Sequence, residues 1–301
     1  MAKSVRETIK SLTRQHLKNG GRCFGQCLTA VGWVGGTLPE LYEEDGMVEF
    51  SMADVAGGAI ATGIALAGER PIYVVRYQGF QWYNAASIVN YAAKSKEIWN
   101  IPCPIFVRSI AMEGGVGPVA GSSHHSMFDR MPGLKIASPM SPKEYELIYQ
   151  EFMNDNVPYY VSEHRKSYDN TEELHDEILP SCDIVLFPVS VTRFAAIEAK
   201  SNLEKMGYKV SIVHQLWIKP FLSKEKSVNA LSASKFGGLV IDDDYVQGVA
   251  TNLAHQLIMS SGKKVEVLGL DNRTAGFHPS VDVFPPSAKE ILQKSLQLIG
   301  Q

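Results

Sequence analysis

Six side chains in the first 125 residues have types and spacing that could do chemistry on one small ligand: Asp54, Tyr77, Phe80, Trp82, His124 and His125. Asp54 follows a strand-like run, Met47–Phe50, and stands near the start of the small-residue segment Met52–Pro71, MADVAGGAIATGIALAGERP. The aromatic group follows or ends the next strand-like run, Pro71–Tyr77. The tandem histidines follow a third, Pro104–Ser109, and a glycine-rich segment, Glu113–Ser123. In open α/β sheets, ligands bind outside the carboxyl ends of the strands. A carboxylate, an aromatic platform and a histidine pair there suit a flat, nitrogen-containing ligand. They also suit proton transfer near neutral pH.

Each feature has a plainer reading. Asp54 could be the N-cap of a tightly packed helix. Tyr77, Phe80 and Trp82 could be core or interface aromatics. The histidines could lie on a surface loop. A tandem pair lacks the i, i+3 or i+4 spacing of helical metal ligands, and no cysteine is near, so no metal site is assigned. Gly57, Gly58 and Gly63 lie inside the helical pattern, each costing about 1 kcal/mol relative to alanine. A helix with three such residues is thin for a reason. Another helix, a partner subunit or a cofactor must approach its backbone.

The elements around these residues alternate. After Met47–Phe50 comes the small-residue helix, then a strand at Pro71–Tyr77 and a helix at Trp82–Trp99. Strands follow at Pro104–Ser109, Leu134–Ser138 and Pro158–Glu163, with a helix at Pro142–Asn154. The glycine-rich segment leads into no clear helix start, so it reads as a mobile loop over a site and not as a dinucleotide cradle. Arg165–Ser181 is polar, charged and unperiodic, and reads as a linker. A second α/β unit follows, with strands at Asp183–Val191, Lys209–His214, Gly238–Asp242 and Lys264–Leu268. Its helices are Arg193–Met206, Val246–Met259 and Ser287–Leu298. The expected fold class is α/β: a two-domain chain with a mostly parallel sheet covered by helices in the first domain. The domains are residues 1–164 and 182–301, joined by 165–181.

Composition narrows the function classes. The chain has 301 residues, 45% of them hydrophobic, and a net charge of -3 with both signs interspersed. That leaves no basic surface for nucleic acid. No apolar run approaches the roughly 18 residues of a membrane span. The first fifteen residues read as an amphipathic helix without an apolar signal core. Cys23, Cys27, Cys103 and Cys182 have no metal-type spacing and read as reduced thiols, so a cytoplasmic protein is expected.

The order of several segments is more specific. VEFSMADVAGGAIATGIALAGERPIYVV, then YQGF, NYAAK, SSHHS and MPGLKIASPMSP resembles the thiamine-diphosphate-dependent transketolase-like family. Within it the chain is most similar to the beta subunit of 2-oxo acid dehydrogenases of the pyruvate dehydrogenase type, or to the C-terminal subunit of a split transketolase. The run DIVLFPVSVTRFAAIEAKSNLEKMGYKVSIVHQLWIKPF resembles the family's C-terminal domain. The resemblance implies a pyrimidine-binding domain followed by a transketolase C-terminal-type domain.

It also implies roles. Asp54 matches the acid that contacts the aminopyrimidine ring nitrogen of thiamine diphosphate. Phe80 matches the aromatic that stacks on that ring, with Tyr77 beside it. His125 matches the histidine of the dehydrogenase HS motif, and His124 the histidine of the transketolase version; one or both would act as acid, base or oxyanion partner. Two departures stand out. The family's acid is normally glutamate, so the carboxylate of Asp54 is set back by about 1.5 Å, one C–C bond. Where the dehydrogenase beta subunits carry GE-D or GE-E, this chain has Gly25, Gln26 and Cys27.

No GDG motif for the metal-held diphosphate occurs in these residues. The resemblance therefore implies a shared site. An alpha-type subunit would bind Mg2+ and the diphosphate in an α2β2 assembly, with self-association through the C-terminal domain. A lipoyl-bearing acyltransferase is a further partner. The implied reaction is 2-oxo acid decarboxylation with acyl transfer. The alternatives are ketol transfer or C–C ligation, or a non-catalytic regulatory or assembly subunit.

Overall fold

The structure is a computed structural model describing residues 2–114, 120–271 and 283–300. The chain divides into two compact units, Met1–Met112 with Arg130–Glu173, and Glu113–Asp129 with Leu174–Gln301.

The chain starts with α1 (Val5–Lys18). Ser4 begins it with a reciprocal cap: its hydroxyl accepts from Glu7 N at 3.2 Å, and its own N–H donates to the Glu7 carboxylate at 2.9 Å. Next come β1 (Cys23–Gln26), α2 (Ala30–Gly36, with left-handed φ over residues 31–35) and β2 (Met47–Phe50). The small-residue helix is α3 (Asp54–Leu66), followed by β3 (Ile72–Val75). One helical stretch then runs through α4 (Gln81–Ser87), a π turn at Ile88–Ala92 and α5 (Ala93–Trp99) to β4 (Phe106–Ala111). The chain enters the second unit, forms the single turn α6 (Ser126–Asp129), and returns as β5 (Lys135–Ala137), α7 (Pro142–Asn154) and β6 (Tyr159–His164).

Within the first unit the strands lie in the order β2-β1-β3-β4-β6-β5. Every one of these pairings is parallel. A parallel sheet covered on both faces needs near-continuous apolar strands, and the fully buried IYVV of β3 meets that need. Inside β4 and β6 sits one buried ion pair. Arg108 Nε and Nη2 donate to the two Glu163 oxygens at 2.7 and 2.9 Å, and the hydroxyls of Tyr145 and Tyr168 complete the carboxylate's shell.

The second unit adds β7 (Ile184–Pro188), α8 (Thr192–Lys205), β8 (Val210–Ile212), β9 (Trp217–Lys219) and α9 (Lys224–Ser232). It closes with β10 (Gly238–Tyr245), α10 (Val249–Ser261), β11 (Val265–Leu270) and α11 (Ala288–Ile299). Its sheet has the order β11-β10-β7-β8, again parallel. The core includes Leu186, Ile241, Leu203 and Ile291, all fully buried.

The strands and helices expected from sequence are present, with ends shifted by a few residues. The elements β1, α2, α6, β9 and α9 were not expected; a short polar-interrupted run such as CFGQ carries little periodic signal. The division into units also departs from the expected one. Glu113–Asp129 groups with the second unit, although the sequence placed it in a domain of residues 1–164. The expected linker, 165–181, is anchored in both units. Asn170 Nδ2 donates to Met140 O at 2.8 Å, and the Ser141 hydroxyl donates to the Glu173 carboxylate at 2.6 Å, within the first unit. Glu177 bridges antiparallel to Ile212 in the second.

Candidate active site

β1 and β3 end side by side, Gly25 pairing with Val74, while β2 pairs on the other side of β1 and ends opposite Gln26. Just beyond these carboxyl ends is a cavity of about 160 Å³, lined among others by Gln26, Asp54, Val74, Tyr77, Phe80 and Asn84. Asp54 is the first residue of α3, and the cap position belongs to Ala53 with no side-chain cap. The N-cap reading of Asp54 therefore falls. Its half-buried carboxylate instead accepts a hydrogen bond from Gln26 Nε2 at 3.0 Å. The positive end of the helix dipole also favours an acid at this position.

Tyr77 precedes a single helical turn, Gln78–Phe80, that ends in Phe80, and the two ring centroids are 5.7 Å apart. Buried amides hold this turn. Gln78 Nε2 donates to Ser109 O at 3.1 Å and to Ser162 Oγ at 2.8 Å, and the Tyr160 hydroxyl donates to Gln78 Oε1 at 3.1 Å. Gln81 Nε2 donates to Ser109 Oγ at 3.2 Å, and Asn84 Nδ2 to Phe80 O at 3.0 Å. Trp82 is 64% exposed and lies outside the cavity lining.

The glycines of α3 divide into two kinds. A Cβ on Gly57 would lie 2.3 Å from the Tyr73 hydroxyl, and one on Gly58 would lie 2.5 Å from Asn84 O. These two glycines admit α4 and Tyr73 of the same chain. The Tyr73 hydroxyl donates to Asn84 Oδ1, and Gly58 N donates to the same oxygen at 3.1 Å. Of the three explanations open for the thin helix, the approach of another helix accounts for Gly58, while Gly57 makes room for the Tyr73 side chain from β3. Gly63 is different: it is exposed, and nothing lies within 4 Å of its Cβ position.

The histidines belong to the second unit. His125 is wholly buried, and its Nε2 lies 3.0 Å from both oxygens of Asp242, in the carboxyl half of β10. The next two residues tie the same loop down. The Ser123 hydroxyl donates to Asp243 Oδ2 at 2.7 Å, and Ser126 N donates to Asp244 Oδ2 at 2.9 Å. Gly248 leaves the room, since a Cβ there would meet Ser126 Oγ at 2.2 Å.

Burial alone would lower the His125 pKa. The Asp242 charge and hydrogen bond, with Asp244 and Asp243, outweigh it and raise the ring to about 10. Burial raises Asp243 as well, and the Asp242 charge adds to this, to about 7. His124 is half-buried and shifted the other way, lowered chiefly by burial. His125, Asp242 and Asp243 place their ligand-type atoms within 4.8 Å of one another, as a metal site would. In this structure the ring is paired with Asp242.

Asp54, Tyr77 and Phe80 thus share one cavity in the first unit, while His124 and His125 sit on the second. The ring of His125 is fully enclosed in this chain and paired with Asp242. The centre of the glycine-rich loop, residues 115–119, lies outside the described residues. Sequence reasoning noted Gln26 but not its contact with Asp54, and missed Gln78, Gln81, Asn84 and the Asp242–Asp244 run. Two signals were there to be found. Gln78, Gln81 and Asn84 recur every three residues, one helical face of amides. Three aspartates in the carboxyl half of a buried strand need a cation.

The transketolase pyrimidine-binding domain matches residues 7–171, more than half of the chain. The chain belongs to this family. The matched segment of this transketolase pyrimidine-binding domain contains the whole Asp54 cavity. The chain is 28% identical over 269 residues to the 2-oxoisovalerate dehydrogenase subunit beta of Bacillus subtilis (strain 168), covering 80% of each protein. It is 23% identical to the pyruvate dehydrogenase E1 component subunit beta of Staphylococcus epidermidis, covering 86% of this chain and 85% of that one. Its fold is similar to that of a split-gene transketolase described as an inactive beta4 tetramer. The TM-score is 0.76 and the identity 13%, over 99% of this chain and 98% of the other. That likeness extends the transketolase fold through the second unit.

Proposed function

We propose that this chain is the beta-type subunit of a two-component, thiamine-diphosphate-dependent enzyme that decarboxylates a 2-oxo acid and transfers the acyl unit. The observation that carries this reading is the cavity shared by Asp54, Tyr77 and Phe80 within the matched pyrimidine-binding domain. The choice of a 2-oxo acid over a ketose is supported by likeness to 2-oxo acid dehydrogenase beta subunits along four-fifths of the chain or more.

The residues present fit the cofactor's aminopyrimidine ring. A volume of about 160 Å³ with an apolar strand wall at Val74 and Val75 takes a small flat ring. Tyr77 and Phe80 offer it aromatic faces. Asp54 offers the one carboxylate of the lining to a ring nitrogen. When bound, thiamine diphosphate supplies a carbon nucleophile and an electron sink for decarboxylation. The protein's part is to bind and orient it. Asp54 holds a proton at the ring nitrogen, and Phe80 with Tyr77 fixes the plane of the ring. His124, kept neutral by burial, serves as the acid, base or oxyanion partner toward substrate. His125 holds the loop that carries His124 and does not itself touch substrate.

We assign the diphosphate and Mg2+ to an alpha-type partner, since no GDG occurs in these residues. Exposed large apolar side chains on the first unit support a partner there: Val55 and Ile60 on α3, Trp82 and Tyr83 on α4, Ile98 and Trp99 on α5. Self-association of the second unit would complete an α2β2 assembly, and Ile258 and Met259 stand exposed on α10. A lipoyl-bearing acyltransferase is the proposed acyl acceptor. No helix among the described residues is long and apolar enough to cross a membrane, and all four cysteines are free. Both support work in the cytoplasm.

The test is turnover of a 2-oxo acid by the co-purified pair carrying Asp54→Ala. Loss of about 100-fold or more is expected, the scale of a misplaced catalytic group. Full turnover without the carboxylate would overturn the catalytic assignment and leave the regulatory or assembly reading.

A further inference from the structure

Gln26 and Asp54 both line the cavity, and both stand at positions where the chain departs from the pattern its resemblance implies. They are 28 residues apart in sequence, and the structure brings them into contact. Gln26 is the last residue of β1, fixed by its pairing with Phe50 on β2. Its amide donates to Asp54 Oδ1 at 3.0 Å. Among the described residues, this is the one hydrogen bond made by the Asp54 carboxylate. Both side chains line the same cavity. A carboxylate at position 26 would set two acids at hydrogen-bond distance, which disfavours ionisation of both. An amide there has an N–H to give.

We propose that Gln26 is the positioning residue for Asp54, and that the two departures form one compensated pair. This inference rests on the functional reading above. The side chain of Asp54 is about 1.5 Å shorter than that of the family glutamate. A carboxylate so placed must be held in one orientation to serve a ring nitrogen, since a displacement near 1 Å can cost about 100-fold in rate. The Gln26 amide holds one oxygen and leaves the other for the ring. Among the described residues, its side chain makes no other hydrogen bond.

The test is a double-mutant cycle on the full chain assembled with its alpha-type partner. Calorimetry reads thiamine diphosphate affinity in the presence of Mg2+, and steady-state assays read kcat and KM separately. Thermal melting checks that each variant folds. Gln26→Ala is expected to weaken cofactor affinity about tenfold, the usual scale for a hydrogen bond to a charged group. In an Asp54→Ala background the same change is expected to have less than a twofold further effect. Gln26→Glu is expected to be worse than Gln26→Ala. Restoring the longer acid should tolerate loss of the amide, so Asp54→Glu with Gln26→Ala should bind more tightly than Gln26→Ala alone. Unchanged affinity in Gln26→Ala, or an equal loss in both backgrounds, would overturn the inference while leaving the functional reading intact. A wild-type pair that binds no thiamine diphosphate would overturn both.

Discussion

His125 Nε2 sits 3.0 Å from both carboxylate oxygens of Asp242, with neither side chain open to solvent. The pair joins the segment before α6 to the carboxyl half of β10. Asp243 and Asp244 extend the junction through Ser123 and Ser126. A buried imidazolium among three aspartates is favourable only while it keeps its proton. It therefore ties the placement of His124, one residue earlier, to the charge of His125.

The pH dependence follows from the signs. The folded-state pKa of His125 is raised from 6.5 to about 10. Its stabilisation is complete below about pH 6.5 and is lost as pH rises through 10. Asp243, raised from 3.8 to about 7, also favours the proton-bound form, so its contribution shrinks as pH rises from about 4 to 7. The melting temperature is expected to fall between pH 6.5 and 10. His125→Asn should lower it at neutral pH and flatten that slope. An unchanged slope in the variant would count against the ion pair.

The two kinds of glycine in α3 are expected to respond in opposite ways. Gly58→Ala drives a Cβ to 2.5 Å from Asn84 O and should destabilise the chain despite its better helix propensity. Gly63→Ala meets no atom within 4 Å and should stabilise the isolated chain by about 1 kcal/mol. Denaturant melts of the two variants check this. Sedimentation with the partner chain then shows whether Gly63 faces that partner, in which case the added methyl weakens assembly.

The buried pair in the first unit sets a stability expectation. Glu163→Ala leaves Arg108 buried without its carboxylate and should cost about 3–5 kcal/mol in chemical denaturation. A loss below about 1 kcal/mol would show that Arg108 finds other acceptors.

Phe80→Ala should weaken thiamine diphosphate binding by the assembled pair by about 1 kcal/mol through lost stacking. Equal affinities for variant and wild type would place Phe80 away from the ring.

Much of this was open to reading in the sequence because it is local. The apolar run of β3, the small residues of α3 and the order Asp54, Tyr77, Phe80 all report neighbours along the chain. What the sequence hid depends on contacts made at a distance. Gln26 gains meaning only because a four-residue strand delivers it to Asp54. Asp242 meets His125 across 117 positions. Gly57 and Gly63 look alike in sequence, and only the packing of Asn84 and Tyr73 separates a glycine required inside the chain from one left open on its surface.

The central claim is that this chain supplies half of a thiamine diphosphate site. Calorimetry of thiamine diphosphate with Mg2+ tests it most directly, on the isolated chain, on the alpha-type chain and on the two together. Weak or absent binding by the isolated chain and tight binding by the mixture is the expected result. Tight, magnesium-dependent binding by the isolated chain would contradict it.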